Sequence, residues 1–173
     1  MKMRSCLMTA SEYQKQPRDP DSFSDRWLWQ RSVPTPLGDF SVELVMLGDG
    51  DTNPPDEEML RRAAELVRYA ETHGDHILDI VYGHYRLAGE SGWLEMECVP
   101  SGLSRETVLS QVRDDRTLVV TRDLDLDEPY DSAIHLVPLW DEEHALSLEF
   151  RDGQIVSAND DPFRLEDGVF RWQ

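Results

Sequence analysis

The chain has 173 residues, with 35 acidic against 17 basic side chains for a net charge of −18, and 39% of it is hydrophobic. That length suits one domain able to bury roughly 68–70% of its unfolded surface, so a core can form without disulfide or metal staples. The negative excess disfavours nucleic-acid phosphates and anionic lipid headgroups as direct partners, and favours cations and basic protein surfaces.

Cys6 and Cys98 are the only cysteines and stand far apart. No CxxC pair or disulfide framework exists, which fits a reducing compartment. Lys2 and Arg4 are followed by no apolar run of signal-peptide length, and no span of about 20 apolar residues occurs. The expectation is a cytoplasmic protein that spans no membrane.

Residues 1–26 are polar and carry Gln16-Pro-Arg-Asp-Pro-Asp-Ser22 without sustained periodicity. They are expected to form a flexible or loosely packed arm ahead of a single domain at 27–173. Trp27, Trp29, Arg31 and Val33 share one parity, which predicts a strand whose buried face the residues leave undecided. After the turn at Pro34–Gly38, Phe40, Val42, Leu44 and Met46 alternate with Ser41, Glu43 and Val45, predicting a second strand and a hairpin. Asp49-Gly-Asp-Thr-Asn53 alternates oxygen ligands as a calcium loop does, but Pro54 and Leu60 stand where an EF-hand needs glycine and glutamate.

Prolines 54 and 55 followed by Asp56, Glu57 and Glu58 make a strong helix start. Met59, Leu60, Ala63, Leu66, Val67 and Ala70 share one face of that helix. His73-Gly74 is expected to end it, Gly74 serving as a left-handed stop. A second helix is predicted from Asp75 to about Leu87, with Ile77, Ile80, Val81, His84 and Tyr85 inward, so that the pair forms a hairpin laid on the sheet. Trp93–Val99 fits either a strand or a helix end, and Ser104–Arg113 reads as a short helix. Thr117–Thr121 is a β-branched strand. Strands near 133–139, 145–150 and 154–158 follow, with an edge strand through Val169, Phe170 and Trp172.

Candidate chemistry is sparse. His73, His76, Asp79 and His84 could supply ligands to a metal, although Gly74 breaks the helix between the first two. His135 with Glu143 and His144 could serve acid–base catalysis if a cleft held them together. These sets define the alternative reading, a small hydrolase or metal-dependent enzyme. Asp123-Leu-Asp-Leu-Asp127 fails the calcium pattern at Glu128 and Ile134. No nucleophile elbow, phosphate loop or zinc-protease motif occurs, so no catalytic, cofactor or metal residue is assigned. Of the five tryptophans most belong in the core, leaving one or two for a contact surface.

Leu136–Val156 reads as strand, acidic turn, strand, Asp152-Gly153 turn, strand. Within it, Leu139-Trp-Asp-Glu-Glu-His-Ala-Leu-Ser-Leu-Glu-Phe-Arg-Asp-Gly-Gln-Ile-Val156 resembles the closing segment of small bacterial domains grouped with the immunity proteins of polymorphic toxin systems. The likeness covers 136–158, with an echo in the helical hairpin at 56–87. It implies an antiparallel sheet with helices on one side and a non-enzymatic binding role.

Together these readings predict an α+β fold in which an antiparallel sheet of about six strands is covered on one face by a helical hairpin and a shorter helix. The expected function is immunity-like binding of a basic protein partner, through the acidic segments Asp123, Asp125, Asp127 and Asp141, Glu142, Glu143, His144.

Overall fold

The computed structural model describes residues 8–17, 24–48, 54–91, 100–123, 126–127, 130–141, 145–159, 163–166 and 169–172. Strands β1 (Tyr13–Lys15), β2 (Ser24–Trp29), β3 (Val33–Thr35) and β4 (Gly38–Leu47) precede helices α1 (Glu57–Thr72) and α2 (Gly74–Ser91). Strands β5 (Thr117–Asp123), β6 (Tyr130–Leu136), β7 (Leu146–Arg151), β8 (Gln154–Asn159), β9 (Phe163–Glu166) and β10 (Val169–Trp172) follow. Eight strands form one sheet in the order β1-β2-β4-β5-β6-β7-β8, with β3 folded onto the start of β4, while β9 and β10 pair apart from it. The architecture is α+β as expected, with more strands than about six.

The sheet is mixed rather than wholly antiparallel. β4 and β5 run parallel, Ser41 opposite Thr117 through Leu47 opposite Asp123. Parallel neighbours require a long crossover, and the two helices supply it. Every other pair in the sheet is antiparallel.

Alternation sorts the faces. Phe40, Val42, Leu44 and Met46 of β4, Leu118 and Val120 of β5, Ile134 and Leu136 of β6, and Leu146, Leu148 and Phe150 of β7 are buried. They meet Met59, Ala63, Leu66 and Ala70 of α1 and Ile77, Val81 and Tyr85 of α2 in one core cluster. In β2 the parity left open resolves: Asp25, Trp27 and Trp29 are buried and Leu28 is exposed.

Several expectations need correction. Tyr13 and Met8 lie in the core and β1 pairs with β2, so the boundary expected after residue 26 falls inside β2. Gly74 does not take a left-handed conformation; it opens α2 beside Pro36 and Leu37, which a Cβ there would meet at ordinary contact distances of 3.4 and 3.6 Å. The short helix at 104–113 contracts to a 3-10 turn at Val108–Gln111. The C-terminal strand is a hairpin partner of β9 rather than an edge of the main sheet. Trp93–Val99 and the loop at 49–53 lie outside the described residues. No described helix is long and apolar enough to cross a membrane.

One buried polar pair anchors α2. His84 is fully buried and its Nδ1 accepts the Trp140 indole N–H at 3.0 Å, which places the neutral ring's proton on Nε2. Tyr85 packs edge-on against the same indole at 5.3 Å.

The entry to α1 is tied to the sheet by one carboxylate. Asp56 Oδ1 accepts the Met59 N–H at 2.9 Å as the helix cap, while Oδ2 takes the Tyr130 hydroxyl at 2.9 Å and Arg122 Nη1 at 3.1 Å. Asp56→Ala should destabilise the fold by about 3 kcal/mol, since a cap and charge-assisted bonds are lost together. Asp56→Asn, which can still cap, should cost about half of that. Urea denaturation of the two variants checks the order.

Candidate functional site

A cleft of about 680 Å³ opens in the described surface where β6 and β7 part company. The β6–β7 ladder runs only from Leu136 opposite Leu146 to Ala133 opposite Glu149. Beyond it β6 stays with β5 as far as Tyr130, and β7 stays with β8 as far as Arg151. The strands diverge for an identifiable reason. A register shift at Glu149/Phe150 bends β7. The Tyr69 ring of α1 meets the Phe150 ring edge-on at 5.0 Å. The β7–β8 tip is thereby drawn toward the helix and away from β6.

The tip itself is a tight turn. Asp152 and Gly153 have φ of 49° and 82°, the left-handed pair of such a hairpin. Burial raises the Tyr69 phenol above its ordinary value, so it remains protonated at neutral pH and bonds His76 Nδ1 at 2.6 Å.

Charge around the opening is uneven. Asp127, Asp131, Glu149 and Asp152 line it together with Arg62 and Arg151. Arg62 is held by Glu58 at 2.7 Å, and Glu58 also takes Arg61 through two bonds of 2.7 Å. The Arg61 bond, opposed by burial and joined by Arg62, lowers the Glu58 carboxyl to about 2. Tyr130 lies between two guanidiniums, Arg62 at 5.4 Å and Arg122 at 5.9 Å from its ring. Its phenol is raised by burial and by the Asp56 carboxylate. Ser157 donates to Glu149 across the β7–β8 pair.

A smaller cleft of about 280 Å³ opens on the α1 side of the same place, lined by Arg61, Arg62, Glu65, Arg68 and the β7–β8 tip. Ser132 lines both clefts. It is 6% exposed, and its hydroxyl has no hydrogen-bond partner. Buried hydroxyls are normally satisfied, so an orphan at the meeting of two clefts marks a place where a partner group is missing.

The acidic segments singled out from the sequence separate. Asp123 ends β5 and Asp127 lines the cleft, whereas Asp141 follows β6 at its other end, about 20 Å away along the strand. Asp125, Glu142, Glu143 and His144 lie outside the described residues.

The set His73, His76, Asp79 and His84 does not converge either. His73 stacks on Tyr69 at 4.4 Å, His76 bonds the Tyr69 hydroxyl, and Asp79 holds Arg105 at 2.5 Å. His84 is sealed in the core with Trp140. Among the described residues no three His, Cys, Asp or Glu side chains are grouped as metal ligands. His135 lines the cleft opposite Ser147 in the β6–β7 register, but no hydrogen bond joins the two as a base–nucleophile pair requires.

No family model matches the chain, and comparison with curated proteins and with solved structures returns no match. Sequence reasoning reached Asp127 through its acidic run. It missed Asp131, Ser132, Glu149 and Asp152, since only the premature end of a ladder brings them together.

Burial holds the His135 imidazole below its ordinary 6.5. As pH falls through about 6.5, the unfolded chain takes up this proton before the folded one, so the stability present above that pH declines until the folded group also protonates. His135→Gln should flatten the fall in urea midpoint between pH 7 and pH 5 relative to the parent chain.

Proposed function

We propose that this chain is a non-enzymatic, immunity-like binding protein that engages a basic protein surface with the acidic rim of the β6–β7 cleft. The observation that carries the reading is coincidence in space: a chain of net charge −18 places Asp127, Asp131, Glu149 and Asp152 around the cleft between β6 and β7. Long-range charge steers a cationic partner to the molecule, and a local rim decides where it lands. Arg62 detracts little from the rim, because Glu58 already holds it. His135 adds no charge at neutral pH, because burial lowers its pKa. The likeness of 136–158 to immunity proteins points the same way, and residence in a reducing cytoplasm belongs to the same reading. No specific observation favours the hydrolase or metal-enzyme alternative.

Co-purification with the product of the adjacent gene tests this. A basic partner is expected whose affinity falls more than about tenfold between about 50 and 300 mM salt, as rim contacts are screened. The variant carrying Asp127→Asn, Asp131→Asn and Asp152→Asn should lose about tenfold at the lower salt. A neighbouring product that does not bind, or one that binds parent and variant alike, sinks the proposal.

A further inference from the structure

The geometry points to the manner in which such a partner is held: an extended, basic segment of it adds as a short strand to the open edge of β6 at Tyr130–Ser132. This rests on the binding reading above and deepens it. Three observations carry it. First, no described strand pairs with this edge. β6 remains a strand through Tyr130 by pairing with β5, yet among the described residues its β7 side has no ladder beyond Ala133. Over that stretch Arg62 Nη1 approaches the Tyr130 carbonyl at 3.5 Å, the limit of a hydrogen bond. An unpaired strand edge is a template for an incoming strand, whose backbone supplies affinity and whose alternate side chains supply selectivity.

Second, the space is built rather than collapsed. Tyr69 packs on Phe150 beside the β7–β8 tip, and the cleft holds about 680 Å³, a volume within the usual range for ligand sites. Third, the two sides of the opening ask for different chemistry. On the outer side Asp131 and Glu149 select cations. On the α1 side the orphan Ser132 hydroxyl, buried and unpartnered, selects a hydrogen-bonding side chain such as a hydroxyl. An added strand presents its residues to the two sides in turn, so the segment should alternate basic and small polar residues.

The test uses the full isotope-labelled chain and the peptide acetyl-(Lys-Thr)4-amide. Binding is expected, with amide exchange at Ser132 slowed about tenfold as the edge becomes paired. Acetyl-(Glu-Thr)4-amide should not bind. Acetyl-(Lys-Pro)4-amide, of equal charge but without every second N–H, should bind about tenfold more weakly. Ser132→Ala should keep the parent's urea midpoint or exceed it, because it removes an unsatisfied buried hydroxyl, while weakening the Lys-Thr peptide about three- to tenfold. Equal binding of the Lys-Pro peptide, or unchanged exchange at Ser132 in the complex, overturns strand addition but leaves the charge-based reading standing. If no basic peptide binds and the neighbouring gene product fails as well, the functional reading itself has fallen.

Discussion

The Asp56 carboxylate joins the helical layer to the sheet, and the geometry of the cleft follows from it. One oxygen satisfies an orphan N–H of the first turn of α1; the other receives a hydroxyl from β6 and a guanidinium from β5. Three elements remote in sequence therefore converge on one side chain. Tyr130, fixed by that bond, lies between Arg62 and Arg122, so the start of α1 overlies the end of β6 where the ladder is about to open. Arg62 then hangs over the opening, restrained by Glu58. A helix merely resting on an apolar face could slide by a turn at little cost in burial. A helix whose cap is also a sheet contact cannot.

The far end of α1 sets the other wall. Tyr69 engages the Phe150 ring, and its hydroxyl bonds His76 of α2. One helix thus pins β6 near its first turn and draws the β7–β8 tip near its last. Those anchorages pull adjacent strands toward different points along α1, and four ladder pairs are what remain between them. Loss of ladder bonds costs stability, and an unsatisfied Ser132 hydroxyl adds to it. A fold selected for stability alone would have zipped β6 to β7 through Arg151. Local departures of this kind concentrate where a protein binds something.

Much of the fold was legible because its signals are local. The alternation of Phe40, Val42, Leu44 and Met46, the face from Met59 to Ala70, and the Asp152-Gly153 turn each lie within one element or one turn. What escaped depends on distant residues. The parallel pairing of β4 and β5 joins strands on either side of the helical hairpin, and nothing in either strand announces its direction. Tyr13 enters the core only because β2 offers an edge to β1. Gly74 opens α2 beside Pro36 and Leu37 rather than closing α1 in a left-handed turn, and the two placements look identical in a sequence. His84 reads as a candidate ligand until Trp140 is found beside it. The candidate site was the least legible part: its acids come from the β5–β6 connection, β6, β7 and the hairpin tip, and only Asp127 stood in a visible run.

Net charge alone does not explain selectivity, since at physiological salt charges more than about 8 Å apart scarcely act together. What matters is which acids are left to face a partner. Many arginines in the described chain are already engaged: Arg26 by Glu43, Arg61 and Arg62 by Glu58, Arg86 by Glu90, Arg105 by Asp75 and Asp79, and Arg122 by Asp56. Some of these pairs lie within one helix and others tie element to element, as Arg26–Glu43 and Arg122–Asp56 do. The cleft is lined by four acids, Asp127, Asp131, Glu149 and Asp152, against Arg62, which is committed to Glu58, and Arg151. In the proposed binding mode, a cation entering there replaces water around carboxylates carried by a strand, so its gain is less eroded by side-chain ordering than at a flexible surface pair. Specificity in that mode arises from the register between an incoming backbone and β6, with charge deciding which side chains can follow it in.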